Sequence, residues 1–225
     1  MHLRLLAVWV FVSALAASAQ AQLFITEWSY QGVNGEFIEF TNMSASPVNM
    51  TDWHYSDSDR GVMDLELDVF GTIQPGESVV LTDASEAAFR AAWGLAPSVK
   101  IFGGNMNSNL GRVDEINLYH LGVLVDRLTF GDNRTASDPP VGAPATAGSI
   151  RTQNRSGNPT SLAALGANNV FLWEFSSLTG SDQYGTTSSS GNDRGNPGYF
   201  YLAVPEPGSL LLAALGLMGL AIRRR

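Results

Sequence analysis

Between Leu23 and Phe130 the chain is a succession of short β-rich runs, each closed by turn residues and none long enough for a multi-turn helix except one. Leu23 to Tyr30 and Glu36 to Asn42 are dense in aromatic and β-branched residues, and Gly32 to Gly35 between them predicts a hairpin. Pro47 and Asn49 punctuate the next connection, with Val48 to Trp53 as a short strand and Trp53 as a core anchor. Pro75-Gly76 is a turn placed directly before the run ending at Thr82. The period then changes: Asp83 is placed to cap a helix whose third residue is Glu86, Phe89 and Trp93 fall four apart on one face, and Gly94 ends it. That helix, over 84–93, is expected to cross between strands. Val99 to Phe102 resumes strand character. Asp114 to Tyr119 and Val123 to Phe130 flank His120-Leu121-Gly122 as a second hairpin, with Ile116 and Leu118 on one face and Leu124, Leu128 and Phe130 on another. Short strands with one helix predict an all-β body. The chain has no cysteine, so burial and sheet pairing alone must stabilise it.

Past residue 132 the apolar periodicity weakens. Pro139-Pro140, Pro144 and the Ser188-Ser-Ser-Gly-Asn run predict long exposed loops, interrupted by the islands Ser149 to Thr152 and Val170 to Phe175. The body therefore divides into a strand-rich part over 22–132 and a loop-rich extension over 133–203 expected to complete it.

Both ends carry addresses. Arg4, the apolar run Leu5 to Ala17 and the small-x-small site Ala19-Gln20-Ala21 form a secretory signal peptide over 1–21. At the other end Pro205-Glu206-Pro207 precedes an uncharged run from Gly208 to Ile222, closed by Arg223, Arg224 and Arg225. As a helix this run of about 15 residues spans roughly 22 Å, short of a full hydrocarbon core, and its terminal cations belong on the cytoplasmic face. The tripartite end over 204–225 resembles the PEP-CTERM sorting signal of Gram-negative bacteria. The resemblance implies that Pro205, Glu206 and Pro207 are the motif recognised by an exosortase, with a transient inner-membrane intermediate and a destination at the cell surface or outside the cell.

The body carries a second resemblance. Ile25-Thr-Glu-Trp28, Glu36-Phe-Ile-Glu-Phe-Thr-Asn42, Asp52-Trp53, Gly71 to Thr82, Asn109 to Tyr119 and Val125 to Gly131, in that order, are similar to the lamin-tail domain. The resemblance implies an immunoglobulin-like β-sandwich in which the helix over 84–93 is an insertion. Gly195-Asn-Pro-Gly198 followed by Tyr199 to Leu202 resembles the end of bacterial copies of that module.

The net charge is −8, and it becomes more negative once the arginine-bearing ends are set aside. Scattered cations on an acidic body leave no footprint for nucleic acid. The most acidic segment holds Asp57, Asp59, Asp64, Glu66 and Asp68, of which the four aspartates are the candidates for ligand or calcium contact. An EF-hand register begun at Asp57 fails, because Gly61 and Val62 stand where a ligand and the obligatory glycine belong. The Asn-rich loop from Asn105 to Asn109 is a second candidate for ligand contact. The two histidines of the body, His54 and His120, are far apart in sequence, and neither a serine-hydrolase elbow nor a zinc-binding His-Glu-x-x-His occurs. The expectation is a non-enzymatic, cofactor-free surface or matrix protein acting through its sandwich on extracellular polysaccharide or a matrix protein. The alternatives are a secreted hydrolase of polysaccharides or phosphodiesters, or a calcium-dependent binding module.

Overall fold

The computed structural model describes residues 23–57, 65–105, 110–111, 113–131, 154–177, 179 and 182–202. The signal peptide, the sorting motif with its arginines, the island Ser149 to Thr152 and most of the Asn105 to Asn109 loop lie outside these. The elements are β1 (Leu23–Ser29), β2 (Phe37–Asn42), β3 (Val48–Asn49), β4 (Trp53–Ser56), β5 (Leu65–Glu66), β6 (Thr72–Ile73) and β7 (Ser78–Thr82). After these come α1 (Glu86–Trp93), β8 (Lys100–Phe102), β9 (Val113–His120) and β10 (Val123–Gly131). The extension adds β11 (Gly157–Pro159), β12 (Trp173–Phe175), β13 (Thr187–Ser188) and β14 (Arg194–Gly195).

Two sheets face each other. One has six strands in the order β12-β11-β1-β2-β7-β8, the other four in the order β10-β9-β4-β5. The expected hairpins are present: Trp28 pairs with Ile38 across β1 and β2, and Leu128 with Ile116 across β9 and β10. The second hairpin turns through Leu121 and Gly122, whose φ values of 51° and 76° give the left-handed pair that two-residue hairpins favour. Helix α1 crosses from β7 to β8, which pair in parallel. A parallel pair needs such a crossover because the end of the first strand and the start of the second lie at opposite ends of the sheet.

Alternate residues of each strand enter the space between the sheets: Ile25 and Trp28 from β1, Ile38 and Phe40 from β2, Val79 and Leu81 from β7, Ile116 and Leu118 from β9. Trp28 stacks on Phe130 with ring centroids 4.0 Å apart, which ties β1 to β10 across the core. Gly157 makes this placement of the indole workable, since a Cβ there would stand 2.8 Å from Trp28 Nε1. Trp53 is buried in the same core as expected.

The outer face of the large sheet is buried as well. Phe37, Val80 and Ile101 project there and pack under Phe89 and Trp93 of α1, with Phe37 edge-on to both rings. The remainder is covered by the strap formed by residues 182–202. Asp193 holds the strap to the β1–β2 turn by accepting from Val33 N and Asn34 N, each at 2.9 Å. Ser190 N donates to Ala92 O of α1 at 2.8 Å. The module is thus three layers deep at β1 and β2, and both strands are buried almost throughout.

Four local expectations change. Val48 to Trp53 is two strands in different sheets: Asn49 Oδ1 accepts from Thr51 N and Thr51 Oγ1, and Asp52 takes a φ of 62°, so the chain reverses between them. The helix is capped by Ser85, whose Oγ accepts from Ala88 N at 3.3 Å. Asp83 is instead engaged by Glu36 N at 2.8 Å. Leu124 leaves the face of Leu128 and Phe130, because a bulge between Leu124 and Asp126 shifts the register and turns it outward. The extension is not a run of exposed loops in its described part: Ser156, Asn158, Ser176, Asp193 and Asn196 are buried, and β11 and β12 extend the large sheet from β1.

Candidate functional site

In the described part of the acidic segment, Asp57 and Asp68 stand at opposite ends of a strand pair. β4 and β5 pair antiparallel with His54 opposite Glu66 and Tyr55 opposite Leu65. This register puts Asp57 beyond one end of the ladder and Asp68 level with Asp52 at the other, roughly 16 Å away at the rise of a strand. Asp57 is fixed through its carbonyl, which accepts from Asn117 Nδ2 at 2.7 Å. Asp68 opens a short 3₁₀ turn, Asp68–Phe70, and shares an open pocket of about 160 Å³ with Asp52, His54 and Glu66. Asp59 and Asp64 lie outside the described residues. Among the described residues no group of three or more His, Asp or Glu side chains is arranged to hold a metal ion.

The two histidines come into neighbouring strands yet point apart. His120 pairs with Trp53 and stacks on its ring at 4.6 Å, whereas His54 pairs with Tyr119 and so projects from the opposite face. At the Asn-rich loop, Leu110 N donates to Glu36 Oε2 at 2.8 Å and Asn105 Nδ2 donates to Phe102 O at 3.2 Å. Glu36 therefore holds one end of this loop, and burial pushes its pKa up to about 7.

Fully buried carboxylates with altered acidity lie outside the acidic segment. Glu27 and Glu39 are direct cross-strand partners on the outer face of the large sheet, and both are fully buried. A bulge between Ile25 and Glu27 turns Thr26 to the same side, where its hydroxyl donates to Glu39 Oε1 at 2.7 Å. The strap closes over the pair. Asn196 N donates to Glu27 Oε1 at 2.8 Å and Gly198 N to Glu39 Oε2 at 2.7 Å. A Cβ on Gly195 would meet Glu27 Oε1 at 2.8 Å, so only glycine lets the backbone lie this close. Burial raises the pKa of Glu39 to about 7. Burial, followed by the charge of Glu39, raises that of Glu27 well above the usual carboxylate range. Two buried carboxyls side by side resist double ionisation. Asp126 is the third such group. It bridges the two sheets, with Oδ2 accepting from Ile25 N at 2.9 Å and Oδ1 from Arg127 N at 2.7 Å, and burial raises its pKa to about 7.

One open concavity is free of charge. A groove of about 360 Å³ runs between the end of α1 and the strap, with Trp93, Leu95 and Val99 on one wall and Thr187, Asn196 and Tyr199 on the other. Sequence reasoning places neither this groove nor the Glu27–Glu39 pair. The available cue is the Gly195-Asn-Pro-Gly198 motif, whose partners are some 160 residues away in the chain and become visible only once the strap is docked.

Two facing sheets with a crossover helix and a docked strap define an immunoglobulin-like β-sandwich. The model of the Lamin Tail Domain family matches residues 16–132, more than half of the chain, and the protein belongs to that family. The PEP-CTERM protein-sorting motif matches residues 203–225, which makes this an exported protein recognised by an exosortase. Neither the curated proteins nor the solved structures give a significant match. Among the described residues no helix is long and apolar enough to cross a membrane.

Proposed function

We propose that the protein is a non-enzymatic binding module of the cell surface or extracellular matrix. The segment Gly208 to Ile222, with Arg223, Arg224 and Arg225, holds it in the inner membrane until the exosortase acts at Pro205-Glu206-Pro207, and the released sandwich then contacts polysaccharide or a matrix protein. The observation that carries this reading is the use made of the acids. General acid–base work needs titratable groups with altered acidity facing a substrate cleft. Of the four carboxyls with raised pKa among the described residues, Glu27, Glu39 and Asp126 are sealed in the fold, each accepting from backbone N–H groups, and the half-buried Glu36 is engaged by Leu110 N. The open groove is lined by uncharged residues.

Two measurements test this. Mass spectrometry of the protein isolated from its producing cells reads both termini, and the expected product lacks Arg225; an intact Arg225 on most molecules would sink the processing step. Incubation with polysaccharides and phosphodiesters is expected to release neither reducing ends nor phosphomonoesters. Release that is lost on a single carboxylate substitution, with the fold intact, would make the protein a hydrolase instead.

A further inference from the structure

We infer that the groove between α1 and the strap is a binding site for a neutral glycan; this rests on the binding-module reading above and names its site and ligand class. The groove's chemistry selects the ligand by elimination. Its lining contains no acid and no base, on a protein of net charge −8. Ligands recognised by charge, such as phosphates, acidic polymers or basic peptides, find no counter-charge within it. Gly94, Gly185 and Gly198 are among its lining residues and bring no side chain to it.

Two tyrosines stand at the rim with their rings in solvent. Tyr199 is 62% exposed and Tyr201 is 50% exposed. Their rings are 6.4 Å apart and close to perpendicular, and the Tyr201 ring rests over Gly185 of the lining. Aromatic side chains combine a flat apolar face with a polar tip, which suits a ligand presenting C–H faces edged by hydroxyls. Sugar rings have that character.

The lining itself is neutral but not wholly apolar: Thr187 and Asn196 bring polar side chains to it. Asn196 Nδ2 donates to Tyr199 O at 2.7 Å, which joins the wall of the groove to the backbone that carries the exposed ring. A hydroxyl is the neutral group that donates and accepts from the same atom, and a saccharide carries several in a row.

The experiment is affinity electrophoresis of the full-length chain, kept soluble in a polyoxyethylene detergent that has no sugar headgroup, through native gels cast with dextran, hydroxyethyl cellulose or xyloglucan. The wild-type protein is expected to be retarded by at least one of these. Tyr199→Ala with Tyr201→Ala is expected to weaken that retardation at least tenfold, whereas Tyr199→Phe, which keeps the ring, retains it within about threefold. Thermal melts of the variants should match the wild type, since both rings are exposed. Absence of retardation in all three gels, or retardation that the double variant leaves unchanged, would overturn the assignment. Retardation unchanged in the double variant would still leave a polysaccharide-binding module, so the site fails there and the general function does not. Release of reducing ends in the same gels would instead remove the non-enzymatic reading.

Discussion

Asp126→Asn separates a structural carboxyl held neutral from one held as an anion. Asp126 is 4% exposed and joins β10 to the bulged start of β1 through Ile25 N. Its ordinary pKa of 3.8 is raised by burial to about 7 in the folded protein. A raised folded pKa means that the native state holds the proton where the unfolded chain has lost it. The corresponding stability is fully present below about pH 4, and it is lost as pH rises through about 7. At about 1.4 kcal/mol per tenfold change, the full loss is about 4 kcal/mol. The amide of Asn cannot ionise and still offers one oxygen to one of the two N–H donors. At pH 4 the variant should therefore lie within about 1 kcal/mol of the wild type. At pH 8.5 it should be more stable by about 2–4 kcal/mol, allowing for one missing hydrogen bond of about 1 kcal/mol. For a body of this size that is roughly a 10 °C gain in Tm. Urea denaturation at both pH values measures the difference directly, and subtracting one protein from the other removes the contributions of Glu27, Glu36 and Glu39. A variant less stable than the wild type at pH 8.5 by 1 kcal/mol or more would show that the fold favours the anion, and the reasoning from burial would be wrong.

Other substitutions test the outer layer. Gly195→Ala places a methyl group 2.8 Å from Glu27 Oε1 and 3.0 Å from Ser156 Oγ, and should cost about 1–3 kcal/mol in chemical denaturation while freeing the strap for faster amide exchange at Asn196 and Gly198. Ser85→Ala removes the helix cap and should cost about 1 kcal/mol, whereas Asp83→Asn should leave helix content unchanged because its oxygen serves Glu36 N. Millimolar calcium should shift Tm by less than 1 °C; a site at one-hundredth of that concentration would stabilise by about 2.7 kcal/mol and be obvious in the melt.

Strand existence was readable where alternation and turn chemistry agreed, as at Leu121-Gly122 and Pro75-Gly76, since both act over a few residues. The helix was readable for the same reason, from Phe89, Trp93 and Gly94. Its cap was not, because whether Asp83 or Ser85 serves depends on Glu36, which arrives from another strand. The burial of Glu27 and Glu39 together was not readable: a bulge after Ile25 breaks the period-two pattern in β1, and no local pattern registers a strap that covers this face from residues 182–202. The groove escaped for a related reason: its two walls are some 100 residues apart in the chain, and Trp93 reads as simple core. Of the four candidate aspartates only Asp57 and Asp68 are described, and the β4–β5 ladder sets these two at opposite ends, a separation that closeness along the chain does not reveal.

The strand order of the large sheet bears on life outside the cell, where an exported module meets many copies of itself. Its two edges are β12 and β8, three residues each, too short to template a neighbouring chain. Lys100 puts a cation on β8, engaged with Glu77 at 3.1 Å. The long edge is β10 in the small sheet, and there the bulge breaks the ladder after Leu124 while Asn168 Oδ1 takes the outward N–H of Thr129 at 2.8 Å. Among the described residues, these three edges are thus shortened, charged, kinked or already occupied. A cysteine-free sandwich built this way can be crowded at a surface and remain a set of separate molecules.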